Sequence, residues 1–218
     1  MSVLRHPIPD KLVVLTFDDG SISQLEVAGP LLKELGFGAT FFITEGLKIP
    51  EERHLPAEDR TFMTWEEVRE LHEMGEGRFE VANHTKNHRG VPGLSREELM
   101  AELQAIDQSA AGQGLPPTST FCYPGYSNTL AAVETLREYG IGFARRGSTE
   151  PNLFEKDTGD SKTGDNALRG LAYDPAKHEP LLIPTTISGG ENFVWYVFVW
   201  PANPSYCKSR HGIQYYYM

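Results

Sequence analysis

Asp18 and Asp19 stand side by side before Gly20, at the end of a short apolar run. Adjacent carboxylates raise each other's pKa unless a cation offsets their charge. A bound metal would do that. A turn in which an aspartate caps the next helix explains the same residues equally well. His84 and His88 lie four apart in the stretch Asn83-His84-Thr85-Lys86-Asn87-His88. In a helix or a tight loop that spacing can aim two imidazoles at one point. One aspartate with two histidines is a donor set for Zn²⁺ or a similar divalent ion, with a position left for water. Taken singly, a pair of surface histidines accounts for the spacing too. A third cluster, Tyr123-Pro124-Gly125-Tyr126, is a turn carrying two aromatic rings.

Several other chemistries are excluded. A zincin needs Glu directly after its first histidine, and Thr85 stands there. An aspartyl-phosphate phosphatase needs its two aspartates one residue apart. There is no Gly-x-Ser-x-Gly elbow and no phosphate-binding Gly-Lys-Ser/Thr loop. The two cysteines, Cys122 and Cys207, cannot build a disulfide scaffold or a four-cysteine zinc site. Cys122 reads as a small buried hydrophobe. His72, on a helix beside Glu73, reads as a solvated residue.

The elements that must position these clusters alternate. Strands are expected at 11–17, 38–44, 78–83, 118–123 and 142–145, each a short run rich in β-branched or aromatic residues. A sixth is expected at 181–187, weakened by Pro184. Between them lie a helix ending at Leu35, one at 64–74 with the capping box Thr64-x-x-Glu67, one at 95–110 with Ser95-x-x-Glu98, and one at 130–139. Helix, glycine, then strand recurs at Gly36, Gly75 and Gly140. This alternation predicts a parallel α/β sheet or barrel. All three polar clusters then fall at strand exits on one end, where such barrels carry their chemistry.

The 218 residues suit one domain, 1–218. The net charge of −10 argues against nucleic acid as a partner. No apolar run reaches the ~20 residues of a membrane span. The first ten residues hold no apolar signal core, so a cytoplasmic location is expected. The oligomeric state cannot be read from the sequence. Residues 191–218 differ from the rest: nine of the 23 aromatic residues lie after position 192, and no acidic residue follows Glu191. A reading-frame slip after about Glu191 would explain this and would leave the barrel short at its C-terminus.

The chain resembles the polysaccharide deacetylase family, the NodB-homology carbohydrate esterases. Thr16-Phe17-Asp18-Asp19-Gly20, Ala39-Thr40-Phe41-Phe42, His84-Thr85-Lys86-Asn87-His88 and Tyr123-Pro124-Gly125 match that family's motifs in order. The likeness runs over about residues 11–190. It implies an irregular (β/α) barrel and metal-dependent hydrolysis of an N- or O-acetyl group on a carbohydrate. It implies that Asp18 is the general base and that Asp19, His84 and His88 hold the metal, most simply Zn²⁺, with Co²⁺ or another divalent ion as options. A backbone N–H near Gly125 or Tyr126 would help hold an oxyanion. Tyr123, Pro124, Gly125 and Tyr126 become the candidate substrate contacts.

Two departures matter. The family places an arginine, paired with the catalytic aspartate, where Cys122 stands. Arg145 or Arg146 could supply that charge from another strand, and the sequence alone does not choose between them. The family's last motif places a general-acid histidine after an apolar strand. His211 falls at a plausible distance, but no apolar run leads into it. An inactive carbohydrate-binding domain, or an amidase acting on a non-sugar substrate, are the alternative readings.

Overall fold

A computed structural model describes residues 14–48, 50–56, 59–147 and 179–184. Six parallel strands form one sheet in sequential order: β1 (Thr16–Phe17), β2 (Ala39–Ile43), β3 (Phe79–Asn83), β4 (Thr120–Cys122), β5 (Phe143–Arg146) and β6 (Ile183–Pro184). Four α-helices connect the first five: α1 (Gly29–Leu35), α2 (Trp65–Met74), α3 (Arg96–Gly112) and α4 (Leu130–Tyr139). A sheet of parallel strands taken in sequence, each joined by a helix, is the winding of a (β/α) barrel. The expected fold is therefore present through β6. The last strand starts at Ile183, two residues later than expected, because a tight turn at Pro180–Leu182 occupies its first positions.

The helices form where their caps and stripes require. Thr64 Oγ1 accepts from the Glu67 amide, and the Glu67 carboxylate accepts from the Thr64 amide. Ser95 and Glu98 close α3 in the same way. Each such cap contributes about 1 kcal/mol. Val68 and Leu71 of α2, and Leu99, Leu103 and Ile106 of α3, are buried, as their spacing predicts. Gly75 ends α2 for a different reason from that expected. Its φ is −73°, open to any residue, but a Cβ there would lie 2.3 Å from the Phe79 ring. The glycine lets β3 begin against the helix end. His72 is not a solvated residue: its Nδ1–H donates to the Phe79 carbonyl at 2.7 Å, tying α2 to β3.

Side chains alternate across a strand, so register decides which residues face the helices and which face the inside of the curl. Phe41, Phe79 and Val81 pack with Leu32, Val68 and Leu71 on the helix side. Phe121, Tyr123 and Ala144 pack with Leu103, Val133 and Leu136 on that same side. The inner face carries the other parity. Thr40 and Thr120 both donate to the Glu80 carboxylate, forming a polar layer. Phe42, Ala82 and Cys122 form an apolar layer. One step further along, on the inner parity, comes His84.

Candidate active site and metal centre

Four strand exits meet. Thr16 pairs with Thr40, so Asp18 shares the inner parity of Phe42. Cys122 pairs with Arg145, so Arg145 also points inward. Backbone turns then bend the chain into the site. Asp19, Thr85, His88 and Tyr126 all have positive φ, between 51° and 73°, as non-glycine residues. That region costs a side chain about 1 kcal/mol or more and collects at functional sites.

Asp19 Oδ1 lies 3.4 Å from His84 Nε2 and 3.3 Å from His88 Nε2. The three donor atoms fall within 4.8 Å of one another. The two imidazoles meet edge to face, their centroids 4.9 Å apart. Asp19 Oδ1 is buried, yet it accepts no hydrogen bond. Buried carboxylate oxygens are normally satisfied. One that faces two imidazole nitrogens at ion-pair distance, with hydrogen-bond geometry to neither, fits a ligand set aimed at a common point. His84 Nδ1–H donates to the Cys122 carbonyl at 2.8 Å. A carbonyl only accepts, so Nδ1 carries a proton and the bond turns Nε2 toward Asp19. Two histidines and one carboxylate are the donors a divalent ion such as Zn²⁺ takes.

The loop that carries the histidines is pinned from three sides. Asn83 Oδ1 accepts from the Thr85 amide, and Asn83 Nδ2 donates to the Leu103 carbonyl. The Lys86 carbonyl accepts from the Glu45 and Gly46 amides and from Thr44 Oγ1. The Glu102 carboxylate, buried on α3, accepts from both the backbone N–H and the side-chain amide of Asn87. Glu102 was not singled out from the sequence. Its signal was there: a charged residue inside the buried stripe Leu99, Leu103, Ile106.

Arg145 supplies the charge that the sequence left open. Its Nη2 donates to both carboxylate oxygens of Asp18 and lies 2.9 Å from Cys122 Sγ. The guanidinium sits between the Phe42 and Tyr126 rings, 5.5 and 5.9 Å from their centroids. Burial of Asp18 opposes its charge, but Arg145 and then His84 outweigh that and hold its carboxyl below the usual carboxylate range. Burial likewise opposes a charge on His84. The sulfur of Cys122 and the carboxylates of Asp19 and Asp18 overcome it and push the imidazole up to about 10. His88 is lowered, by burial first and then by His84.

The other expected residues separate. Arg146 turns to the helix side, where its Nε donates to the Leu182 carbonyl and Nη1 to the Gly147 carbonyl. Tyr123 is fully buried and donates to the Leu181 carbonyl at 2.9 Å. Both support the sheet rather than face the metal-ligand cluster. Pro124 is buried beneath the turn, while Gly125 is exposed and Tyr126 partly so. The Tyr126 amide donates to the Tyr123 carbonyl, which leaves Gly125 as the oxyanion candidate of the two. His211 and the aromatic tail lie outside the described residues.

The model of the polysaccharide deacetylases matches residues 5–144 of the chain. The chain belongs to the polysaccharide deacetylase family. YxkH of Bacillus subtilis (strain 168), a protein named for the polysaccharide deacetylases, is 28% identical over 153 residues, which are 69% of this chain and 49% of that protein. The chain thus spans about half the length of this relative. Among solved structures, the IcaB protein of Ammonifex degensii is 26% identical with a TM-score of 0.52, covering 65% of this chain and 62% of that one. The Streptococcus pyogenes deacetylase PplD, solved with acetate, has 21% identity and a TM-score of 0.56 over 66% of this chain and 60% of that one. The BpsB deacetylase domain of Bordetella bronchiseptica has 20% identity and a TM-score of 0.58, over 82% and 72%. The last two show the fold alone, and it is the expected one. Among the described residues no helix is long and apolar enough to cross a membrane.

Proposed function

We propose that this polysaccharide deacetylase family member is a metal-dependent hydrolase that removes acetyl groups from a carbohydrate, in the first place N-acetyl groups. One observation carries the reading: the buried Asp19 Oδ1 faces both His84 Nε2 and His88 Nε2, with hydrogen-bond geometry to neither, and Asp18 lies beside it under the Arg145 guanidinium. Asp19, His84 and His88 would hold the ion, zinc being the simplest fit to the donor set. When bound, such an ion supplies Lewis acidity, drawing electron density from an acetyl carbonyl and lowering the pKa of a water toward ~7.

The chain's own residues do the rest. Asp18, kept ionised by Arg145, is ready at neutral pH to take the proton of the attacking water. Arg145 lowers the basicity of that carboxylate but secures its charge and its direction. The Gly125 N–H, on an exposed turn with φ of 63°, is offered to the oxyanion of the acetyl group. Tyr126, seated against Arg145, walls the acetyl side. An inactive carbohydrate-binding domain would have no need to keep Asp18 charged beside a metal-ligand set. The test is metal analysis followed by acetate release from chitin oligosaccharides and acetylated xylan. Bound metal with acetate release supports the reading. Metal without turnover on any acetylated substrate overturns it in favour of a binding domain.

A further inference from the structure

We propose that Gln24 is the positioning residue of the two carboxylates. Its side-chain amide holds the peptide between Asp18 and Asp19 at the rotation that sends one carboxylate to Arg145 and the other to the imidazoles. This rests on the metal-dependent reading of the site, but metal binding and unfolding test it apart from turnover. Gln24 Nε2 donates to the Asp18 carbonyl at 2.5 Å. A carbonyl only accepts, so the amide nitrogen must face it. The peptide joining Asp18 to Asp19 is one rigid plane. Fixing its oxygen fixes how the Cα atoms at both ends leave it, and each of those bears one of the two carboxylates. The rotation held is not the relaxed one: Asp19 has a φ of 73°, a region that side chains avoid. A freed peptide would turn back toward negative φ and take Asp19 Oδ1 from the point it shares with His84 and His88.

Gln24 is itself held in place. It opens a π turn, Gln24–Ala28, closed by the Gly29 amide donating five residues back to the Gln24 carbonyl. The sequence explains the wide turn. Pro30 has no N–H, and in a regular helix its ring would press on the Glu26 carbonyl. Gly29 lets the turn lie against α2, since a Cβ there would come 2.8 Å from Leu71 Cδ1 and 3.0 Å from Met74 Sδ. The Gln24 backbone N–H donates to the Ser21 carbonyl at 3.0 Å, and Leu25 is anchored in the core. Turns of this kind are rare and gather at functional sites.

The residue type argues against a packing role. Gln24 is only 6% exposed, yet among the described residues its Oε1 has no hydrogen-bond partner. A half-satisfied amide in a core lowers stability where an apolar side chain of the same length would not. Such a choice is expected where local stability is given up for the geometry of a site. The half that is satisfied is the half that faces Asp18.

The experiment compares Gln24→Met, which keeps the length and loses the donor, with Gln24→Asn, which keeps the donor but stops one methylene short. In both, zinc affinity should fall about 10- to 100-fold, the range for groups that orient metal ligands, and the visible spectrum of bound cobalt should change. The urea midpoint of metal-free Gln24→Met should hold or rise, because the unsatisfied oxygen is gone. In acetate release kcat should fall about 10- to 100-fold with KM kept, the mark of a misplaced reacting group. Wild-type zinc affinity in the variants overturns the proposal. So does a Gln24→Met midpoint that falls together with zinc affinity, which is how a packing residue behaves. If Gln24→Met fails to fold by circular dichroism, zinc affinity and the cobalt spectrum of Gln24→Asn decide alone. Zinc held by wild type and weakened in the variants supports the proposal even where no acetate is released, which separates it from the deacetylase reading. A wild-type chain that takes up neither zinc nor cobalt overturns both.

Discussion

Arg145, at the end of β5, donates to both carboxylate oxygens of Asp18, at the end of β1, and so spans the inner face of the sheet. Cys122 lies between the strands that carry them, within 2.9 Å of the guanidinium and 3.9 Å of the carboxylate. A small side chain at 122 leaves the space that the guanidinium crosses. The charge is placed from β5 instead of from β4, and Asp18 meets the same partner chemistry.

Arg145→Met should therefore weaken both catalysis and fold. Without the guanidinium, the largest force against burial is gone, His84 opposes it in smaller measure, and the Asp18 carboxyl rises. In wild type the folded value is lowered, so the stability it lends is present above the ordinary carboxylate range and is lost as pH falls through the folded value. In the variant the acid limb of kcat/KM should move to higher pH, with a loss at neutral pH of about 10²-fold. Removing one partner of a buried pair costs about 3–5 kcal/mol; Asp18 is a quarter exposed, so about 2–3 kcal/mol is expected. A pH–rate profile and a denaturant melt check both. An unmoved acid limb would show that Arg145 does not control Asp18.

Asp18 and Asp19 should separate by role. Asp19→Ala should strip the metal, because it removes the oxygen that faces both imidazoles. Asp18→Asn should keep the metal and lose about 10²–10⁴ in turnover, the contribution of a positioned base. Elemental analysis and acetate release on each purified variant give the answer. Equal metal loss in the two would mean that the carboxylates are assigned the wrong way round.

Metal uptake should release a proton. In the metal-free chain His84 is pushed up to about 10 among Asp18, Asp19 and Cys122, so it is charged at neutral pH. A raised folded value means the stability from this proton is full below the ordinary ~6.5 and fades as pH rises through about 10. An ion at Nε2 takes the proton's place, so affinity for Zn²⁺ should climb with pH between about 6 and 8. Calorimetry in buffers of differing ionisation enthalpy counts the protons. Zinc binding with no proton released would contradict the charged imidazole.

Much of this was legible in the sequence. The capping boxes at Thr64 and Ser95, the helix over 130–139 and the three polar clusters at strand exits were read from local patterns, because caps, periodicity and strand exits are local facts; the choice of Asp19 as the partner of His84 and His88 came from the family resemblance. The choice between Arg145 and Arg146 was not made, although alternation could have made it. Cys122 and Arg145 share the inner parity, whereas Tyr123 and Arg146 share the outer one. That inference needs the β4–β5 register, which no single segment contains. Glu102 on Asn87 and the His72 bond to Phe79 were missed for the same reason: each joins elements that only the folded sheet brings together.

Gly46 offers a test of how tightly the metal loop is held from behind. The glycine is demanded by a close approach. A Cβ at position 46 would lie 2.5 Å from both the carbonyl carbon and Cα of Asn87 and 2.6 Å from its oxygen. These are backbone atoms, clamped in turn by Glu102, so neither side can yield by a rotamer change. Gly46→Ala should push residues 86–88 away from β2 and carry His88 off the point it shares with His84 and Asp19. The expected result is zinc affinity reduced about 10- to 100-fold, the range seen when groups that orient metal ligands are disturbed, with about 1–3 kcal/mol of overpacking cost. Cobalt substitution gives a direct readout, since the visible spectrum of the bound ion reports ligand geometry. Wild-type affinity and an unchanged cobalt spectrum in Gly46→Ala would show that the loop relaxes without moving its histidines.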